Sequence, residues 1–307
     1  MKKVLESKIK NVRHIREIRG DASERSFFRI FFNSGTAVAM VYPPGSKQEI
    51  EKVLRLTGIY RKYQIPVPRI IDVIDDRIVI LDDLGGESIQ KRFAVIDEKS
   101  RKDTLIQIVD TLRRINQIPV DLAENRLDKI RMTWEMDFFI THFAKNFFKP
   151  NTELEAVRME IHSVVNGIGE AGFFLHRDFH SRNMLFHNDQ VHLVDFQDSL
   201  AGPEYYDLVS FAFDAYLDLK SRREFLFRYY GQKDKPINSH QLYLTALQRN
   251  IKALGTFGFQ IVGKKNLRFR KYIPRTIRHI MINPLSQSRI PTLISLLRVS
   301  DVSRPFR

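Results

Sequence analysis

Along the first hundred residues, apolar and polar positions alternate over short spans, and those spans predict a small sheet. Residues 26–32, rich in Phe and Ile, and residues 36–42, which alternate more weakly, read as two strands joined by the turn Asn33-Ser34-Gly35. Residues 67–73 and 77–81 read as two more, joined at Asp75-Asp76. Between the pairs, after Pro43-Pro44-Gly45, the helical spacing of Ile50, Val53, Leu54 and Ile59 predicts one helix over 46–63. Ser46 is its expected N-cap, with Glu49 in capping-box position. At residues 81–86 the β-branched pattern gives way to a Gly-Gly turn and then to long helical periods, which marks a boundary between expected lobes at 1–84 and 85–307. Helices are predicted over about 98–117, 134–148, 152–170, 205–219, 221–230, 239–262 and 272–282. Only a hairpin, from 184–186 and 191–194 around the turn 187–190, interrupts them. The expected class is α+β, a small antiparallel sheet lobe followed by a mostly helical one.

Composition narrows the picture. The 307 residues, 43% hydrophobic and 28% charged, suffice for one large or two moderate domains with full cores. The absence of cysteine excludes disulfides, thiolate zinc sites and a cysteine nucleophile. No apolar run is long enough to span a bilayer. Residues 1–19 alternate basic and apolar positions without the continuous apolar core of a secretory signal, so the expected compartment is the cytoplasm. The net charge of +14 is concentrated in 2–19 and 264–307. Such a field attracts polyanions, but no aromatic residues are interleaved in an RNA-binding pattern, so nucleic acid is an unfavoured partner and a solvated basic face the simpler reading.

The candidate chemistry lies in residues 175–183, Leu-His-Arg-Asp-Phe-His-Ser-Arg-Asn, and 194–198, Val-Asp-Phe-Gln-Asp. Phosphoryl transfer needs a carboxylate to meet the attacking hydroxyl and oxygen ligands to hold magnesium against the phosphates of ATP. Asp178 fits the first role; Asn183, five residues on, and Asp195, returned by the hairpin, fit the second. Taken alone the string is also what turn-forming polar residues look like; a strand ending in Asp at the right distance makes the kinase reading the stronger. His176 and His180 are four apart, but no third ligand has suitable spacing, so packing or loop hydrogen bonding is expected of them.

These segments resemble the aminoglycoside phosphotransferase and choline kinase superfamily, whose fold is bilobal and protein-kinase-like. The resemblance rests on Gly20-Asp21-Ala22-Ser23 with Phe28-Arg29, Val67-Pro68-Arg69-Ile70, residues 81–85, 176–183, 195–198, 202–210, and Gln248-Arg249 with Leu254-Gly255. Details such as GDAS and DFQD point to the branch of bacterial kinases acting on the anomeric hydroxyl of N-acetylmuramate and N-acetylglucosamine, in cell-wall amino-sugar recycling. It implies that Gly20, Asp21, Ala22 and Ser23 cover the ATP phosphates and that Asp82, Asp83 and Leu84 form the adenine hinge. It also implies that Asp207, helped by His176, supports the catalytic loop. Trp134, Glu135 and Asp198 are the acceptor candidates, because an indole face suits a pyranose and carboxylates accept bonds from hydroxyls. Trp134 equally suits a helical core with Phe138 and Phe139.

A protein kinase carries a lysine on its third strand for the α and β phosphates. The corresponding strand here is Ala37-Val38-Ala39-Met40-Val41-Tyr42, without one. The leading expectation is therefore an ATP- and magnesium-dependent sugar kinase. An aminoglycoside, choline or other alcohol is the alternative acceptor, and a non-catalytic nucleotide- or nucleic-acid-binding scaffold the alternative class.

Overall fold

The computed structural model describes residues 2–18, 25–148, 153–231 and 236–299. By its contacts the chain divides into two compact units, Met1–Ile96 with Asn183–Asp198, and Asp97–Arg182 with Ser199–Arg307. The mixed α and β class expected from the patterning is the observed one.

The first unit contains a five-stranded antiparallel sheet in the order β1-β2-β3-β5-β4. Its strands are β1 (His14–Ile18), β2 (Ser26–Phe31), β3 (Thr36–Val41), β4 (Ile70–Ile74) and β5 (Ile78–Asp82). Four follow the sequence expectation. The edge strand β1 does not, because Ile15 is its one buried residue and a single apolar position carries no alternation. The turn between β4 and β5 takes Asp75 and Asp76 to φ of 51° and 45°, the left-handed pair of a tight hairpin.

Where the patterning predicted one helix, there are two, one on each face of the sheet. The helix α1 (Lys2–Lys8) buries Leu5 against Ile15, Ile30, Ala39 and Ile80, whereas α2 (Lys47–Lys62) buries Ile50 and Val53 against Met40 and Val79. A sheet apolar on both faces needs a layer on each. The predicted capping box does not form, since the side chain of Ser46 makes no capping hydrogen bond.

The short helix α3 (Ile89–Arg92) and the hairpin β7 (Met184–His187) and β8 (Gln190–Leu193) complete this unit. Main-chain bonds from Phe186 to Glu87 (3.0 Å) and from Leu193 to Pro66 (2.8 Å) tie the hairpin to it. The Arg92 guanidinium covers the Phe186 ring.

In the second unit, β6 (Phe173–Leu175) pairs with β9 (Leu200–Gly202). Its helices are α4 (Glu98–Asn116), α5 (Lys129–Phe139), α6 (Lys145–Phe147), α7 (Leu154–Asn166), α8 (Tyr206–Ala212), α9 (Arg223–Tyr230), α10 (Ser239–Gly258), α11 (Ile273–Met281), α12 (Ser286–Arg289) and α13 (Pro291–Val299). The expected start of α5 moves back to Lys129 because the Asp128 carboxylate accepts from the Arg131 N–H and caps it. One core joins α5, α7, α10, α11 and α13 through residues such as Phe139, Val164, Leu254, Ile280 and Leu293. The helices α5 and α10 meet closely at Gly255, where an added Cβ would lie 2.9 Å from Phe139 Cα. Among the described residues, no helix is long and apolar enough to cross a membrane.

Candidate active site

Strand β6 delivers the chain into residues 176–182, and buried acids of the second unit fix the backbone there. One oxygen of Asp207 accepts from the His176 N–H at 2.6 Å and the other from the Arg177 N–H at 2.9 Å. Asp207, of which support for the loop was expected, lies in the first turn of the short α8 and is fully buried. Seven residues on, Asp214 accepts from the Ser181 N–H at 2.8 Å and from the Tyr216 N–H at 2.7 Å. Arg177 is held at φ +75°, a left-handed conformation that a non-glycine residue keeps only where its surroundings enforce it.

Glu135 supplies part of that enforcement. Its Oε1 lies 3.2 Å from Arg177 Nη2, and its Oε2 accepts from Gln248 Nε2 at 2.8 Å. Glu135, an acceptor candidate from the sequence, is only 2% exposed and pairs with the loop arginine. A helix interior acid with no local signal beyond its charge gives no hint of this partner. Its neighbour Trp134 is 60% exposed and lies tilted beside Phe138, whose ring centre is 5.3 Å away, so it is not a core tryptophan. The buried His176 ring packs edge-on to Phe179, and His180 edge-on to Tyr216.

The electrostatics separate the loop acid Asp178 from the helix acid Asp207 that bonds to its loop. Burial pushes the Asp178 carboxyl up, but the charges of Lys252, His180, Arg177 and His176 together hold it below its ordinary value. Asp178 is thus an anion at neutral pH. Burial pushes Asp207 up to about 7, against the two main-chain donors that favour its charged form, and the Asp178 charge adds to the rise.

In the first unit, the ladder of β7 and β8 runs one step past Met184 and Leu193, where Val194 N–H donates to Asn183 O at 3.0 Å. Asn183 and Asp195 therefore flank the open end of one hairpin. Asp195 takes φ +65°. Its Oδ1 accepts from Gln197 Nε2 at 2.8 Å and from Arg25 Nη2 at 3.1 Å. Gln197 Nε2 also reaches Asp198 Oδ2, at 3.3 Å, and Asp198 is exposed. A carboxylate and an amide oxygen suit a hard cation such as magnesium, which takes one or two carboxylates and fills its other positions with water and phosphate oxygens. Among the described residues, no group of three or more His, Asp or Glu side chains could cage a metal by itself.

At the expected hinge, two arginines organise the acids. Asp83 is gripped by Arg29, through Nε at 2.6 Å and Nη2 at 2.9 Å, and its Oδ1 also accepts from the Gly85 N–H. Arg29 Nη2 further donates to Gly85 O at 2.6 Å. Asp82, at the end of β5, pairs with Arg69 at 2.6 Å. Leu84 is buried. Gly20, Asp21, Ala22 and Ser23 lie outside the described residues. Arg25, Asp214, Gln248 and the loop-bracing use of Glu135 are what sequence reasoning missed.

The chain is similar to known proteins along most of its length. The N-acetylmuramate/N-acetylglucosamine kinase of Neisseria meningitidis serogroup B is 23% identical over 294 residues, covering 90% of this chain and 87% of the relative. The protein of the same description from Pseudomonas aeruginosa is 24% identical over 276 residues, covering 85% and 80%. Among solved structures, a thermostable mutant of aminoglycoside phosphotransferase APH(4)-Ia superposes with a TM-score of 0.66 at 14% identity, covering 91% of this chain and 98% of that one. Choline kinase LicA from Streptococcus pneumoniae does so with 0.62 at 13% identity, covering 91% and 96%. The two structural likenesses are likenesses of fold, and the model of the phosphotransferase enzyme family matches residues 14–236. Matched over that span, the chain belongs to the phosphotransferase enzyme family.

Proposed function

We propose that the protein is an ATP- and magnesium-dependent kinase acting on a sugar, with the anomeric hydroxyl of an N-acetylated amino sugar, N-acetylmuramate or N-acetylglucosamine, as its acceptor. The observation that carries the reading is Asp178, an anion on a loop fixed by Asp207 and Asp214. Two curated relatives named as kinases of those sugars support the acceptor class. The nucleotide belongs to the expected lobe 1–84, with Gly20 to Ser23 over the phosphates and Asp82 to Leu84 beside the adenine. The catalytic loop and acceptor belong to the lobe 85–307. Amino-sugar recycling in the cytoplasm, where ATP is available, is the setting this chemistry fits.

Asp178 accepts the hydrogen of the acceptor hydroxyl and aligns its oxygen for attack. A carboxylate held below its ordinary pKa is a weak base, so orientation is its larger contribution, as suits a loose phosphoryl transition state. Asn183 and Asp195 would hold magnesium through their oxygens, and a metal bound there would supply positive charge against the transferring phosphoryl group. Asp207 and Asp214 fix the loop backbone, and Glu135 fixes Arg177. Trp134 and Asp198, both exposed, remain available to an acceptor. Asp178 and Asn183 are five residues apart, so at most about 18 Å of extended backbone separates them.

The test is magnesium-ATP consumption by the purified protein with N-acetylmuramate, N-acetylglucosamine, the methyl glycoside of N-acetylglucosamine, choline and an aminoglycoside. Turnover with the free amino sugars, and none with the glycoside whose anomeric oxygen is blocked, is expected. Preference for choline or the aminoglycoside overturns the acceptor, and turnover with none of them favours a scaffold. Asp178→Asn and Asp195→Ala each abolish turnover in a folded protein; full activity in either removes its residue from the mechanism.

A further inference from the structure

The apolar strand β3 leaves unanswered what takes the place of a strand lysine toward the nucleotide. We propose that Arg25 is that group, a phosphate-gripping cation supplied by the residue just before β2; this rests on the kinase reading above. Arg25 and β3 meet side by side. Phe27 and Met40 are register partners on β2 and β3, and Arg25 Nη1 lies 3.7 Å from Met40 Sδ. The guanidinium is 5.8 Å from the centre of the Phe27 ring, and Nη2 is 3.1 Å from Asp195 Oδ1. A cation thus stands over the strand that lacks one, next to the carboxylate assigned to magnesium. Its charge also acts on the buried Tyr42 hydroxyl at the end of the same strand: burial raises that group, and Arg25 counters the rise.

Two physical points favour a ligand role over a purely structural one. The Arg25 side chain is only 15% exposed, but its partner Asp195 is 44% exposed, so water screens the ion pair itself and the pairing contributes little to stability. Folding alone is therefore a weak reason for the charge. A guanidinium also presents its N–H donors in a planar fork that matches phosphate oxygens and stays charged at every working pH. Arg25 links residues 170 positions apart, so no local motif could announce it.

Arg25 binds and positions the nucleotide in this proposal, so its test reads nucleotide affinity as well as turnover. N-methylanthraniloyl-ADP with magnesium is titrated into the wild type, Arg25→Met and Arg25→Lys, and each is melted with and without magnesium-ADP. Wild type binds saturably; failure to do so overturns the kinase reading, and this proposal with it. Arg25→Met is expected to bind about tenfold to a hundredfold more weakly, the range for loss of charge-assisted hydrogen bonds. Its ligand-free melting temperature stays near that of wild type, while its ligand-induced rise shrinks. Arg25→Lys recovers part of the affinity, and KM for ATP rises in Arg25→Met while KM for the acceptor does not. Nucleotide affinity within twofold of wild type in Arg25→Met, with wild type binding normally, overturns Arg25 alone. Should Arg25→Met fail to fold, Arg25→Gln is measured under the same criterion.

Discussion

Truncating Glu135 to alanine separates two roles that the sequence alone could not tell apart. If Glu135 contacts the acceptor, Glu135→Ala raises KM for the acceptor and leaves stability near wild type. If it holds the loop, the variant leaves a part-buried guanidinium without its counter-ion and the Gln248 amide without its acceptor. Glu135 is 2% exposed and Arg177 16%, and the pair is 3.2 Å apart. Removing one member of a buried pair costs about 3–5 kcal/mol. Arg177 keeps some access to water, so about 3 kcal/mol is the expected loss. For a domain of this size each kcal/mol moves the melting temperature by about 2–4 °C, which places the expected drop at about 6–12 °C. Turnover falls as well, because Arg177 leaves its strained conformation and carries Asp178 with it, while KM for ATP changes little. Thermal melts and initial rates on one preparation read both effects. An unchanged melting temperature with a raised acceptor KM refutes the bracing role and restores the acceptor role.

Two further outcomes test the geometry. Gly255→Ala puts a methyl 2.9 Å from Phe139 Cα and 3.0 Å from Phe139 N, both backbone atoms that cannot swing aside; a loss of about 1–3 kcal/mol is expected from such overpacking. Chemical denaturation checks it, and an unshifted midpoint contradicts the close approach of α5 and α10. Asp207, raised to about 7 by burial, favours its protonated form in the folded chain. That contribution is fully present below the ordinary carboxylate range and is lost as pH rises through about 7. Denaturant midpoints of wild type, compared with Asp207→Asn from pH 4 to pH 8, are expected to show this decline in the wild type alone; parallel profiles contradict it.

Local pattern was enough for much of this protein. Strands β2 to β5, the helix α2 and the β7–β8 hairpin follow from alternation, helical spacing and turn residues within a few positions of one another. The same locality made Asp178, Asn183 and Asp195 stand out as candidates, because the loop and the hairpin return set their spacing along the chain. Where a segment shows one buried position, as in β1, or three residues pairing with a distant three, as in β6 and β9, periodicity has nothing to act on. The second helix against the sheet was hidden in a basic stretch whose apolar residues make sense only once the far face of the sheet exists to receive Leu5.

Sequence by itself thus determined the class of chemistry to expect, with a candidate acid for the hydroxyl, candidate oxygen ligands for a cation, and a strand with no lysine. Tertiary structure alone decided which groups hold those residues in place. Glu135 with Arg177, Asp214 with Ser181 and Arg25 with Asp195 are separated by 42, 33 and 170 positions. A charge in a sequence states only that a partner is needed when it is buried. Which partner it meets depends on how helices and strands pack, and that information is spread over the whole chain rather than written beside either residue.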